Sequence, residues 1–154
     1  MDGSTIFGVS SDLISAIANC VMAGGALLIV WQIRQSKLQA ITTFEDTLDN
    51  EYRRIVHGVP AKILLGEEVP QSELTGYLDE LIAYFDLCNQ ETFLRQRKRI
   101  SGSTWIYWSD GIRSNLTRPA FKQAWEMIKA SNRTDFEELR KLELSGFSED
   151  PASW

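Results

Sequence analysis

The sequence contains few of the residues that build metal sites and disulfides. Two cysteines and one histidine argue against a zinc site with the usual number of ligands. Cys20 lies within an apolar segment and Cys88 lies far beyond it, which argues against an internal disulfide and fits a reducing compartment. We therefore expect neither a metal ion nor another cofactor.

The sequence also lacks the motifs of common enzyme and nucleic-acid-binding classes. It contains no glycine-rich phosphate loop, no His-Glu-x-x-His pair and no nucleophile elbow. The net charge of −5 argues against a nucleic-acid-binding protein, which usually carries a strongly basic face. No set of nucleophile, base and orienting group is visible, so the sequence gives no reason to expect an enzyme.

One long apolar segment is present near the N-terminus. Residues 13–33 run for 21 residues without a charge, and a helix of that length covers about 30 Å, the thickness of the bilayer hydrocarbon. We expect a transmembrane helix here, preceded by a short non-cytosolic tail of residues 1–12. The alternatives are a buried helix, which would normally show a polar face, and a cleaved signal peptide, which would need a basic start.

The charges beside the apolar segment predict its orientation. Arg34 and Lys37 follow the segment, whereas the residues before it include only Asp2 and Asp12 as charged side chains. Because basic residues stay on the cytosolic side of a span, we expect the N-terminus outside and the C-terminal part in the cytosol. The protein is then a single-pass membrane protein with the lipid bilayer as its first partner.

Small residues repeat along one face of the predicted span. Ala16, Cys20 and Gly24 recur every four residues, with Asn19 and Ala23 beside them. Small side chains let two helices approach closely, and an asparagine in hydrocarbon prefers a partner across an interface. One interpretation is a homo-oligomer formed through this face. The other is chance, since such patterns are common in spans rich in alanine and glycine.

Helical periodicity continues beyond the span. We expect residues 34–57 to form a stalk helix that ends before Gly58 and Pro60, which are typical of a helix end and a new helix start. The stalk should pack on the rest of the domain through an apolar stripe. The stripe consists of Leu38, Ile41, Phe44, Leu48, Tyr52 and Ile55.

The remaining sequence predicts an all-α fold, because no segment alternates as a strand. Residues 58–146 should form a small cytosolic helical bundle, with a long helix over residues 72–97. Thr134 and Glu137 form a capping box that predicts the start of the last helix. We expect residues 147–154 to be a loose polar tail.

Three acidic residues on the long helix have two interpretations. Asp79, Asp86 and Glu91 could be acid–base carboxylates. They could instead form a solvated face or pair with Arg53 and Arg54, and this second interpretation is the one we favour. The single histidine, His57, is expected to occupy the end of the stalk helix, where a cation is favoured by the helix dipole.

A basic run stands out in this acidic protein. Arg95, Arg97, Lys98 and Arg99 lie within five residues and have three interpretations: a solvated helix end, a contact with anionic lipid headgroups, or a site for a phosphate-bearing ligand. Aromatic residues that could stack on such a ligand follow closely, although we expect them in the core. They are Trp105, Tyr107 and Trp108.

Several short motifs follow one another along the chain in a recognisable order. After a short acidic N-terminal tail, they are Trp31-Gln32, Phe44, Glu51-Tyr52-Arg53, Pro60, Tyr84-Phe85-Asp86, Arg99-Ile100-Ser101, Trp105, Trp108 and residues 119–125. In this order they resemble a family of uncharacterised bacterial single-span membrane proteins. The resemblance implies a bacterial inner-membrane protein with a helical cytosolic domain of unknown function. It transfers no catalytic residue.

Two function classes follow. The favoured one is a non-enzymatic interaction or regulatory module that holds an unidentified protein partner, or a second copy of itself, at the cytosolic membrane face. The alternative is a membrane effector that responds to a phosphorylated small molecule bound by the basic run.

Overall fold

The computed structural model describes residues 3–131 and 134–154, with side chains from Leu13 onward. No strand occurs in those ranges, which confirms the predicted all-α class. The chain comprises two units, divided between Ala40 and Ile41. We call the second unit, Ile41–Trp154, the helical domain. The predicted tail of residues 1–12 lies partly outside the described residues, and helix α1 already begins at Gly3.

Seven α-helices occur in the described ranges. They are α1 Gly3–His57, α2 Ala61–Leu64, α3 Gln71–Leu74, α4 Leu78–Gln96, α5 Gly102–Thr117, α6 Pro119–Ser131 and α7 Glu137–Leu144. Two 3-10 turns, Thr75–Tyr77 and Pro151–Ser153, complete the secondary structure. His57 is exposed and is the last residue of α1, as predicted.

The apolar segment, residues 13–33, is helical and exposed within its own unit. From Leu13 to Ala40 every side chain is exposed except Gly25, which is intermediate, and none of the most apolar stretch is buried. A core helix of a soluble protein would be mostly buried. The interpretation of residues 13–33 as a buried helix therefore does not fit this unit. By length and composition, this is one helix that could cross a membrane.

Helix α4 is the centre of the helical domain. It packs against α6, α7 and the C-terminal 3-10 turn. Its Tyr84 and Phe85 form edge-on ring contacts with Phe121 of α6, at centroid distances of 5.1 and 6.4 Å. Trp125 extends this cluster, 5.1 Å from Phe85. These buried aromatic side chains supply much of the apolar area that stabilises a small domain.

Within the helical domain, the stalk helix packs on the core from Phe44 onward. Leu48 and Ile55 are buried in the core, and Phe44 is packed against it, whereas Leu38 is 58% exposed. Glu45 adds a polar connection between α1 and α5. Its carboxylate accepts hydrogen bonds from the Ser101 backbone N–H at 2.6 Å and the Thr104 hydroxyl at 2.8 Å. Both groups lie at the N-terminus of α5, where the helix dipole favours a negative charge.

Two predicted helix starts are wrong. The long helix does not begin at Ser72: α3 and a 3-10 turn precede α4, which begins at Leu78. The last helix begins at Glu137 with Phe136 as its N-cap residue, in a left-handed conformation, so Thr134 is not the N-cap residue. Part of the capping comes from α4 instead, because Asn89 Oδ1 accepts a hydrogen bond from the Leu139 N–H at 3.0 Å.

The prediction of a loose tail is also wrong. Asp150 forms an ion pair with Arg95 at 2.5 Å and accepts a hydrogen bond from the Ala152 N–H. Pro151 is buried, and the Lys141 ammonium group lies 4.1 Å from the centre of the Trp154 ring. The prediction failed because residues 147–154 are held by partners on α4 and α7, and the composition of the tail does not indicate such partners.

We predict that Asp150→Ala destabilises the domain by about 1 to 2 kcal/mol, because it removes the ion pair and the cap of the last 3-10 turn. Thermal unfolding of the detergent-solubilised full chain would measure this. Glu68→Ala is the control, since Glu68 is an exposed acidic residue. Equal melting temperatures for the two variants would contradict a docked tail.

Candidate ligand-binding cleft

A cleft of about 540 Å³ opens in the helical domain. The second half of α1 supplies Asp49 and Tyr52, and α4 supplies the floor, which includes Tyr84, Cys88 and Glu91. Helix α5 forms the remaining wall. A volume of this size is typical of sites for small molecules, and all lining residues belong to the one unit Ile41–Trp154.

The wall from α5 is an exposed helix face. Ser103, Tyr107, Asp110 and Ser114 follow one another at helical spacing and all line the cleft. Tyr107 is 77% exposed, so the expectation that it lies in the core is wrong, whereas Trp105 is buried as expected. Gly111 lies on the same face, and a Cβ atom added there would meet nothing within 4 Å.

Glu91 is a largely buried carboxyl group that has no protein partner in the part of the chain that the structure describes. Its side chain lines the cleft although the residue is only 6% exposed. Among the described residues, no hydrogen bond or ion pair involves its carboxylate. Polar groups buried in proteins normally have such a partner, and a charged one costs several kcal/mol without it. Glu91 is therefore the feature of the cleft that most needs a functional explanation.

The surroundings of Glu91 favour its protonated form. Burial, and secondarily the negative charge of Asp49 on α1, raises the pKa of Glu91 to about 8. Desolvation opposes the charged form, and a nearby like charge opposes it further. Asp49 itself forms an ion pair with Arg53 at 2.5 Å. The Arg53 side chain is 72% exposed.

Two other polar side chains of the cleft, Tyr84 of α4 and Asn115 of α5, bond to each other. Asn115 Nδ2 donates a hydrogen bond to the Tyr84 hydroxyl at 2.9 Å. Burial raises the pKa of both Tyr84 and Cys88 well above their ordinary values. Cys88 is thus held as a neutral thiol, which is a poor nucleophile and a poor metal ligand.

The structure places the predicted site residues elsewhere. In the basic run, the Arg95 guanidinium is engaged within the domain, by Asp150 and by the Ile100 carbonyl at 2.8 Å. Arg97 lies over the Phe93 ring at 5.1 Å, and Arg97, Lys98 and Arg99 are exposed. Contact with a membrane surface or a phosphate stays a prediction for these exposed residues, and none of the run lines the cleft.

The predicted self-association face lies entirely in the first unit. Ala16, Asn19, Cys20, Ala23 and Gly24 are all exposed there, so they are available to lipid or to another helix. Self-association through them stays a prediction. In the described part of the chain, no three histidine, cysteine or acidic side chains converge as a metal site would require.

The sequence interpretation of the acidic residues was right for two of three. Asp79 and Asp86 are exposed, but Glu91 belongs to neither a solvated face nor a pair with Arg53 or Arg54. The signal was present, because Glu91 follows Cys88 by three residues and so continues the apolar stripe of α4. A carboxyl group on a buried stripe indicates either an internal partner or a ligand.

Comparison with protein-family models, with curated proteins and with solved structures gives no match. The functional interpretation of the cleft therefore depends on its own chemistry.

We predict that Glu91→Gln stabilises the domain increasingly from pH 5 to pH 8. The folded state retains a proton that the unfolded chain releases near pH 4.5, so the wild-type free energy of unfolding falls as the pH rises toward 8. Each pKa unit corresponds to about 1.4 kcal/mol, so the full effect is several kcal/mol. Urea unfolding of the full chain in detergent at several pH values would measure it.

Asp86→Asn is the matched control for this experiment, because it makes the same change from a carboxyl to a carboxamide group at an exposed position of the same helix. It should keep the pH dependence of the wild type. If Glu91→Gln also keeps it, Glu91 does not carry the buried proton.

Proposed function

We propose that the protein is a membrane-anchored, non-enzymatic regulatory module whose helical domain binds a small ligand in the α1–α4–α5 cleft, on the cytosolic side of the membrane. The observation that carries this proposal is the cleft with a buried and unpartnered Glu91 on its floor. A domain that needed only stability would lose nothing by replacing that carboxyl group with an apolar side chain.

The chemistry of the cleft supports binding rather than catalysis. Its one thiol, Cys88, has a raised pKa and is therefore not activated. The only histidine of the chain, His57, is not among the residues that line the cleft. No imidazole is therefore present in the cleft to activate Ser103 or Ser114 as a nucleophile. What remains is a pocket with aromatic walls and a few polar groups, which is the usual composition of a ligand site.

Anchoring in the membrane is supported by the exposed apolar segment and by its flanking charges. Residues 13–33 have the length and composition of a span, and Arg34 and Lys37 follow directly. Arg95 of the basic run is already paired with Asp150, so its charge is satisfied within the domain. This favours the cleft over the basic run as the place where a small ligand binds.

We expect the full-length protein to remain in the membrane pellet after alkaline carbonate extraction and to dissolve in detergent. In intact spheroplasts, an added protease should leave the helical domain uncut until the cells are lysed. Release by carbonate would contradict the anchor, and digestion of the domain in intact spheroplasts would contradict its cytosolic side.

Filling the cleft at Gly111 tests whether it binds ligands. Thermal shifts of the full chain in detergent are measured with a panel of small organic acids, alcohols and amines. A ligand present at 100 times its dissociation constant stabilises a protein by about 2.7 kcal/mol. Compounds that stabilise the wild type should no longer stabilise Gly111→Leu, because the leucine side chain occupies open space in the cleft.

Gly111→Ala is the matched control. Both substitutions improve helix propensity by nearly 1 kcal/mol, but alanine leaves most of the cleft open and should keep the ligand response. If Gly111→Leu responds as Gly111→Ala does, or if no compound of any charge stabilises the wild type, the ligand-binding function is contradicted.

A further inference from the structure

We propose that the cleft selects a small organic cation: an ammonium group, primary to quaternary, carried on an apolar or aromatic body. This inference rests on the proposed function, because it names the ligand class of the same cleft. Three features of the described residues support it: the sign of the charges in the cleft, the absence of a partner for Glu91, and the aromatic walls.

The described lining of the cleft includes three carboxyl side chains and no lysine or arginine. They are Asp49, Glu91 and Asp110, one from each of the three helices. Asp49 and Asp110 form ion pairs with Arg53 and Arg113, whose side chains are 72% and 58% exposed and do not line the cleft. An anionic ligand would face three carboxyl groups without a lining cation, whereas a cationic ligand meets a complementary potential.

Glu91 points to a ligand independently of the other two carboxylates. It is more than nine-tenths buried, lines the cleft and, among the described residues, has no hydrogen-bonding or ionic partner. An ammonium group at the floor would supply the missing counter-charge in surroundings where water screens the pair weakly. A neutral ligand could accept a hydrogen bond from the protonated carboxyl group, but it would gain nothing from the acidic walls.

The walls suit an organic cation better than a metal ion. Tyr52, Tyr107 and Trp108 border the cleft, and aromatic faces attract ammonium groups when these lie within about 6 Å of the ring centre. The acidic side chains of the cleft do not converge on one point, since no metal-binding group of three occurs in the described ranges. A compact ion would therefore be held by too few oxygens, whereas a larger cation can contact the separated groups.

Binding of such a cation should be linked to the proton on Glu91. The carboxyl group is largely protonated near pH 7, and an ammonium group favours its ionised form. Binding should therefore release close to one proton at pH 7, and affinity should rise from pH 6 to pH 8. The titratable groups that face Glu91 or share its cleft are Asp49 and Tyr52 of α1, Tyr84 and Cys88 of α4, and Tyr107 and Asp110 of α5.

Three probes with the same ring and similar chains test the sign of the ligand charge. They are 2-phenylethylamine as the cation, 2-phenylethanol as the neutral compound and 3-phenylpropanoate as the anion. Isothermal titration of the full chain in detergent should show the amine binding at least about tenfold more tightly than either other probe. Repeating the amine titration in buffers of different ionisation enthalpy should reveal the released proton.

Variants at two positions of α4 assign the selectivity. Glu91→Gln should lower amine affinity at least about tenfold, change alcohol affinity little and abolish the proton release, whereas Asp86→Asn should match the wild type. If the alcohol or the anion binds as tightly as the amine, and Gly111→Leu abolishes that binding, the cation inference is wrong while the ligand-binding cleft stands. Equal amine affinity in Glu91→Gln and the wild type would also overturn the inference.

Discussion

Glu91 buries most of a carboxyl group at the floor of the cleft without a counter-charge among the described residues, and the packing around α4 offsets the cost of that burial. The aromatic cluster of Tyr84, Phe85, Phe121 and Trp125 lies on the same helix or packs against it. Such burial of large rings contributes several kcal/mol to a small domain. The domain can therefore tolerate an unfavourable group at the one place where it lines a cleft, and this combination is typical of functional sites.

The cleft is lined by α1, α4 and α5, and α1 is fixed to its neighbours near the cleft. Glu45 of α1 binds the N-terminus of α5 through Ser101 and Thr104, while Leu48 and Ile55 of α1 are buried in the core. Between these contacts, the exposed face of α5 leaves the space that Gly111 borders. A polar contact at the N-terminus of α5 and two core residues thus fix α1 beside the cleft.

The sequence predicts the class of fold better than it predicts the site. Apolar periodicity identifies the helices, and Gly58, Pro60 and Pro119 mark where several of them end or begin. The sequence pattern misplaces the start of α7, because part of the capping of that helix comes from Asn89, which lies fifty residues before its bonding partner Leu139. A tertiary partner of this kind leaves no local signal.

The tail and the cleft escape sequence reasoning for the same physical reason. Asp150 is an ordinary acidic residue until Arg95 is placed beside it, and Glu91 is an ordinary helix carboxylate until α1 and α5 cover it. Periodicity can assign Glu91 to a buried stripe. Only the packing of three helices shows that it has no partner among the described residues.

The buried thiol of Cys88 has a consequence for the durability of the cleft. Oxidants and electrophiles attack the thiolate form of cysteine, and burial keeps this sulfur protonated beside the Tyr84 hydroxyl. Peroxide therefore has little to react with on the floor of the cleft. Its shape and charge should persist during oxidative stress, when exposed low-pKa cysteines of other proteins are already modified.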